Sequence, residues 1–593
     1  MRRNSKLVAL GVPIAVVALG AAACGGGSSS AQGSSGPSGH QGGVLSVLGE
    51  EDVPNVDPAA MYDTNSYALV RLDTRQLYTN PSGNSTSARV TTVPDVADGQ
   101  PSISSDGLTY TIKIKQGVQW QTPTGARQVT AADAVRGLKM TCNPVVPFGA
   151  INYYTDTIDG MQDFCGSFGK VSQTDAAAIK SFEEGTTVPG LTAVDDTTLQ
   201  IKLKAPAADF IHLLTLPTVS PRAIEAMNYI PDSPEFRQNF ISDGPYVIKS
   251  YVANKSYVFA RNPAWKASTD PVRKAYVDEV HVTLGIDQAG IQQQLKAGSA
   301  DMSLGNEQPP AADITTLSRS NDPGLTLNPT GGQNPYLVIN QTSGGNKALQ
   351  NVQVRQALNY AVNKQSISQV VGGVKVEQPT GQIFSQSVVG AGFKQQDLYA
   401  TPNSAGDPAK AKQMLAAAGY PNGLTLTLAY RASGNNPKIA ATMQQDLKPS
   451  GITVNLKEVP ARDFYTKFMQ KPDIAQSGQW DISLPGWSPD WEGAAERSFF
   501  TPLLDGRGYG PGTTNYGDYN NDAVNTAADK ALATTDQASS AQQWNEIDTM
   551  IMKDAPWVPL VNQTQANYHA SRVKNFLYNF PASNGDLTDV YVQ

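Results

Sequence analysis

Between about residues 285 and 555 the chain alternates helix-like and strand-like stretches, and no other feature restricts its fold as strongly. A helical run over 291–298 ends at Gly298, and an apolar strand follows over 335–340. Asn351 caps a helix whose Val354, Leu358 and Ala361 share one face. Asp407-Pro408 starts another that stops at Gly419. Strands are predicted over 424–430, 451–459 and 480–484, with helices from Lys438 and Arg462 between them. This is the α/β signature, in which helices cover the faces of a sheet.

The earlier half reads differently. Strands are predicted over 44–48, 108–114 and 277–284, a hairpin over 191–204, and an antiparallel pair over 243–248 and 255–260. Thr130 and Asp133 form a capping box opening a helix that runs to Met140. Ser220-Pro221 is expected to start another, with proline in its first turn. At 593 residues the chain exceeds what one core can organise, so two or three lobes are expected. No internal repeat is visible.

Composition decides the partner class. A formal net charge of -7, with 16% charged residues, argues against nucleic acid and against an anionic membrane surface. The basic start Met1-Arg-Arg-Asn-Ser-Lys6 and the apolar run over 7–23 read as a secretory signal, too short and too broken by Gly11 and Pro13 to span a bilayer. Ala21-Ala22-Ala23-Cys24 resembles a bacterial lipobox, although Ala21 stands where leucine is commonest. Cleavage at an A-x-A site, leaving Cys24 free, is the alternative. The Gly/Ser-rich stretch 25–43 suits a tether with a reach of about 24 Å. The expected location is therefore the outer face of the cell membrane, held by lipid on Cys24.

Cys142 and Cys165, the remaining pair, are most simply a disulfide outside the cytoplasm. Metal ligation or catalysis fits poorly, because His40, His212, His281 and His569 are isolated from the cysteines and from one another. No G-x-S-x-G elbow, H-E-x-x-H helix or P-loop occurs. Neighbouring carboxylates such as Asp195-Asp196 read as solvated turns. The expectation is no enzyme, no catalytic residue, no metal site and no cofactor.

One late stretch, Leu484-Pro-Gly-Trp-Ser-Pro-Asp-Trp491, places the carboxylate of Asp490 between two indoles, just past a predicted strand end where α/β proteins collect ligands. Aromatic walls exclude water and the carboxylate offers a charge-assisted hydrogen bond, so an α-ammonium would fit. The alternative is that Asp490, following Ser488-Pro489, closes a turn.

Several segments, in this order, resemble the extracytoplasmic solute-binding proteins of family 5, the dipeptide and oligopeptide receptors of ABC importers. They are Ile114-Lys-Gln-Gly-Val-Gln-Trp120, Val129-Thr-Ala-Ala-Asp-Ala-Val135, Asp243-Gly-Pro-Tyr-Val247, Ala260-Arg-Asn-Pro263, Gln353-Val-Arg-Gln-Ala-Leu-Asn-Tyr-Ala361, Ala417-Ala-Gly-Tyr420 and Ala555-Pro-Trp-Val-Pro-Leu560. The loop from Cys142 to Cys165 looks like the actinobacterial branch. The resemblance implies an α/β, two-lobed periplasmic-binding-protein-like (type II) fold with an extra subdomain inserted in the first lobe. After the signal (1–24) and tether (25–43), lobe I would comprise 44–66, 190–284 and 556–593, the insert 67–189, and lobe II 285–555. Hinges would lie near 283–287 and 555–561.

By the same resemblance Asp490 accepts the ligand's α-ammonium, Trp487 walls the pocket, and Gly486 and Ser488 offer main chain to the peptide as an added strand. Trp491 stands between pocket and core. Tyr62 and Asp63 lie in a loop that approaches the ligand in relatives. Trp491-Glu-Gly-Ala-Ala-Glu-Arg497 replaces the Asn- and Pro-rich continuation usual in the family. The implied partners are a peptide and the permease subunits of an ABC transporter, with the receptor a monomer. A non-peptide solute such as a sugar or metal chelate, a cell-surface hydrolase, and a signalling lipoprotein are the alternatives. Trp120, Trp265, Trp480, Trp544 and Trp557 are expected in the core, and Arg355 as a structural salt-bridge partner.

Overall fold

The computed structural model describes residues 39–593, apart from 306 and 511. The signal segment, Cys24 and nearly all of the tether lie outside the described residues. Among the described residues no helix is long and apolar enough to cross a membrane.

Two five-stranded sheets organise the described chain. In the first, the strand order is Tyr246–Val252, Ser256–Arg261, Glu279–Leu284, Val44–Gly49, Met302–Ser303. Val44–Gly49 runs parallel to both its neighbours, whereas the first three strands form an antiparallel meander. The second sheet has the order Ile452–Val459, Leu424–Arg431, Ile482–Ser483, Leu337–Ile339, Trp557–Val558. Its long strands pair in parallel, as the helix between them requires. Here the alternation read from the sequence is realised: Asn436–Asp446 and Pro408–Ala417 pack Ile439, Met443 and Leu415 against Leu426 and Leu428. A third sheet, Leu325–Pro329, Val561–Tyr568 and Glu377–Pro379, is antiparallel throughout. Its central strand begins three residues after the second sheet's last one ends.

Residues between the first strand and the hairpin Leu191–Asp195/Thr198–Lys202 build a further unit. That hairpin joins Ser102–Ile103 and Thr109–Lys113 in a four-stranded sheet. The capping box forms as expected: Thr130 Oγ1 accepts from the Asp133 N–H, and Asp133 from the Thr130 N–H. A buried cluster fastens this unit to the first sheet's surroundings. Arg75 Nη2 lies 2.7 Å from Asp95 Oδ1, Arg273 Nη1 lies 2.9 Å from Asp95 Oδ2 and 3.3 Å from Asp270 Oδ2. Each cation meets two carboxylates, Arg75 reaching Asp270 as well, which is the arrangement that offsets the desolvation of buried charge.

Cys142 and Cys165 form a disulfide. It closes a loop with a sequence separation of 23, which bears the short helix Asn152–Thr155. Replacing both cysteines by serine should lower stability by about 3 kcal/mol, the loop-closure value for that length. Urea unfolding would read it, with a steeper slope as the released denatured chain expands.

Two expectations need correction. Ser220-Pro221 opens no helix; the chain stays extended until the 3₁₀ turn Ile224–Asn228. Tertiary contacts hold it so: the Arg222 N–H donates to the Asp133 carbonyl at 2.8 Å, and its guanidinium pairs with Asp57. Arg355 is not an ion-pair partner among the described contacts. It donates to the main-chain carbonyls of Leu349, Gln350 and Asp554, the last ending the helix Gln537–Asp554. That is favourable for a cation at a helix C-terminus. Four of the five tryptophans are buried as expected, and Trp265 is half-buried.

Candidate ligand-binding site

The second sheet delivers the Trp-Asp-Trp stretch. Ile482–Ser483 ends, and the following turn is pinned to residues 333–336 by three main-chain hydrogen bonds. The Tyr336 N–H donates to the Pro485 carbonyl, and Gln333 and Trp487 exchange N–H···O bonds of 2.8 and 2.9 Å. Gly486 is needed there because a Cβ would meet Asn334 Oδ1 at 2.2 Å. Its N–H donates to the Tyr465 hydroxyl at 3.0 Å. Tyr465 sits on a π-helical turn, Phe464–Met469, a local widening common at functional sites. Trp487 is fixed by its indole N–H on the Ser498 carbonyl at 2.8 Å.

Asp490 follows, 7% exposed. Its Oδ2 accepts from the Tyr153 hydroxyl at 2.7 Å and from the Tyr62 hydroxyl at 3.0 Å. Tyr153 belongs to the helix inside the disulfide loop, and Tyr62 to the loop before the helix Thr64–Asp73. Asp63 is that helix's N-cap, accepting from the Ser66 N–H. Aromatic rings surround the carboxylate. Tyr62 meets Phe148 and Trp487 edge-on at 4.7 and 5.7 Å, Tyr153 meets Trp491 at 6.0 Å, and His212 stacks on Trp491. Trp491 is 2% exposed and serves both pocket and core.

Among the described residues no Lys or Arg is paired with Asp490. Burial pushes its pKa up to about 7, and the two tyrosine hydrogen bonds oppose that rise without cancelling it. A buried carboxylate held only by neutral donors is under-compensated, and it is the group that gains most from an incoming cation.

Asp490 and Trp491 line a small, partly open cavity of about 40 Å³ together with Tyr67, Arg71, Leu216 and Phe580 among others. Trp487 stands beside Asp490 against Tyr62. Gly486 and Ser488 do not reach this cavity. Two buried ion pairs tie the segment that follows Asp490 to distant parts of the chain, the first of them on the cavity wall. Arg89 makes a bidentate pair with Glu492 at 2.8 and 3.0 Å, and Arg497 with Asp209 at 2.6 and 2.8 Å.

Residues 91–510 match the profile of the bacterial extracellular solute-binding proteins, family 5 Middle. The chain belongs to this family. Heme-binding protein A of Haemophilus influenzae is 26% identical to this family 5 protein over 494 residues, 80% of each chain. Among solved structures, clavulanic acid biosynthesis oligopeptide binding protein 2 superposes with a TM-score of 0.81 at 24% identity, covering 94% of this chain and 96% of its own. The Helicobacter pylori periplasmic binding protein DppA in complex with the peptide STSA gives 0.72 at 22%, covering 93% and 98%. The fold is therefore the two-lobed solute-binding α/β fold.

In this family 5 protein the unusual continuation 491–497 has a visible structural role, because Glu492 and Arg497 supply one half of each of these ion pairs. The sequence offered no sign of their partners, Arg89 and Asp209, which lie 403 and 288 residues away. Tyr153 was equally hidden. Its only signal was a Tyr-Tyr pair inside the cysteine loop.

Proposed function

We propose that this family 5 protein is the surface receptor of an ABC importer, capturing peptides between its lobes with Asp490 as the acceptor for their α-ammonium and passing them to a permease. The observation carrying this reading is the buried Asp490 carboxylate, bonded by two tyrosines, without a cationic side chain among the described residues, and lining a cavity. The reading keeps the lobe boundaries at 44–66, 190–284 and 556–593 for one jaw, 285–555 for the other and 67–189 for the insert. It also keeps Trp487 as a wall, Gly486 and Ser488 as main-chain partners after opening, and Cys24 as the lipidated anchor. Similar structures named for oligopeptide binding, or solved with a peptide, support the class of cargo.

Calorimetry with di- to pentapeptides and their N-acetylated forms tests it. Acetylation removes the ammonium and should abolish measurable binding; equal affinity of both forms would refute the role given to Asp490. Mass spectrometry of co-purifying molecules separates peptide from other solutes directly.

The raised pKa sets a pH signature. An ammonium selects the ionised carboxylate, so binding at pH 6 should release close to one proton, and affinity should rise with pH up to about 7 before levelling. Calorimetry in two buffers of different ionisation enthalpy counts the proton. In the empty protein the sign is reversed. The folded state holds a proton that the unfolded Asp, with a pKa of about 3.9, has already lost, so this group's contribution to stability falls between about pH 4 and 7.

A further inference from the structure

Both hydrogen bonds to Asp490 fall on one oxygen, Oδ2, and both donors depend on the loop that the disulfide closes. Tyr153 lies within that loop, and its hydroxyl makes the shorter bond, at 2.7 Å. Tyr62 lies outside the loop but leans on it. Its ring meets Phe148 edge-on at 4.7 Å, and Gly149 lets it approach, since a Cβ there would come within 2.8 Å of Tyr62 Cδ1. Oδ1 accepts no hydrogen bond among the described residues, which leaves that oxygen to a ligand.

Hydrogen bonding does little to fix the near part of the loop. Among the described residues, the main-chain-to-main-chain bonds from 143 to 156 are all local, as in the Phe148 N–H on the Thr141 carbonyl. Contact with a distant strand begins at Thr157 and Asp159, whose main chain meets Lys204 and Lys202. The covalent tie supplies what the ladder does not: it joins Cys142, just past the helix Ala131–Met140, to Cys165 on the helix Met161–Phe168. A cross-link at the base of a loop restricts the excursions of its tip, and this tip carries Phe148 and Tyr153.

A phenol O–H bonded to a carboxylate favours the ionised form, so losing the Tyr153 bond would raise the pKa of Asp490, already up at about 7 through burial. The other titratable neighbours leave that change readable above pH 6. Tyr67 and Tyr154 are buried phenols held well above the usual value, and His212, behind Trp491, has its pKa lowered by burial. Glu496, which burial pushes up to about 8, titrates alike in every variant considered below. Arg89 and Arg497 are committed to Glu492 and Asp209.

We propose that the Cys142–Cys165 disulfide is a positioning device for the ligand site, holding Tyr153 on Asp490 Oδ2 so that Oδ1 meets the ligand's ammonium as a charged oxygen. This rests on the peptide reading above, and it makes Tyr153 a positioning residue that touches the ligand's acceptor and not the ligand. Severing the disulfide then does more than lower stability: it moves the pH range over which cargo is captured.

Calorimetry of trialanine and N-acetyl-trialanine on the full chain, from pH 6 to 9, tests it with Tyr153→Phe, the Cys142→Ser/Cys165→Ser pair and all three changes together. Tyr153→Phe and the serine pair should each weaken trialanine roughly tenfold at pH 6, the effect of a pKa raised by about one unit. Taken as a ratio to wild type, so that the ligand's own titration cancels, the loss should shrink several-fold by pH 9. Because both changes remove one hydrogen bond, the combination should lose no more than either alone. A serine pair that melts lower but binds trialanine as the wild type does at pH 6 overturns the proposal, as do losses that multiply in the combination or stay constant with pH. Should the serine pair fail to fold, native reduction replaces it: dithiothreitol gives up two electrons and two protons, leaving thiols at Cys142 and Cys165 and closing on itself as a cyclic disulfide, and the same outcomes decide. Indifference of the wild type to acetylation overturns the peptide reading itself.

Discussion

Asp490→Ala is expected to weaken the best peptide ligand by roughly 2 to 5 kcal/mol, a loss of about thirtyfold to several thousandfold. The ligand's ammonium would be buried without a counter-charge, and most of the loss is that stranded cation. Asp490→Asn sharpens the test. The amide oxygen still accepts from Tyr62 and Tyr153, which now bond the carboxylate at 3.0 and 2.7 Å, so the empty variant should melt as the wild type does near pH 4 and above it at pH 7, where the wild type carries a buried charge. Binding should fall nearly as far as in the alanine variant, because the charge is gone. The proton release at pH 6 should vanish with it. Wild-type affinity in both variants would remove Asp490 from the site.

The second large effect is expected at the two buried ion pairs. Arg497→Ala strands Asp209, whose side chain is 9% exposed, and Arg89→Ala strands Glu492, at 1%. Removing one partner of a buried pair costs about 3–5 kcal/mol, chiefly the unpaired charge left behind. The protein has one escape: if the cleft opens, the orphaned carboxylate regains water and the penalty falls on closure alone. Small-angle scattering with saturating ligand should then show an expanded particle, with ligand affinity reduced and the melting temperature little changed. A lowered melting temperature with unaltered scattering would instead place the pairs in a part that stays shut. Unchanged affinity, scattering and melting would refute any structural weight for them.

How far the sequence disclosed this can be judged residue by residue. The second sheet was legible because Leu424–Arg431 and Ile452–Val459 are long β-rich runs separated by a helix with proline in its first turn. Periodicity carries that information locally. Thr130 and Asn351 disclosed their caps for the same reason, since a cap depends on two or three neighbouring residues. Ser220-Pro221 misled, as its local preference for starting a helix lost to a hydrogen bond that the neighbouring Arg222 N–H donates to a residue far along the chain, Asp133. Within the site, spacing singled out Asp490 and its indoles. It did not single out Tyr153, Tyr67, Arg71 or Arg89, because each depends on which distant segment folds against it.

The cluster of Arg75, Asp95, Asp270 and Arg273 has a mechanical consequence. It fastens the segment carrying Arg75 and Asp95 to the one carrying Asp270 and Arg273, so on the proposed lobe boundaries Tyr62, Tyr67 and Tyr153 would be borne on one jaw. If the protein closes on its ligand as proposed, the three phenols would arrive at the cargo together, and a docked translocator would sense a binary latch.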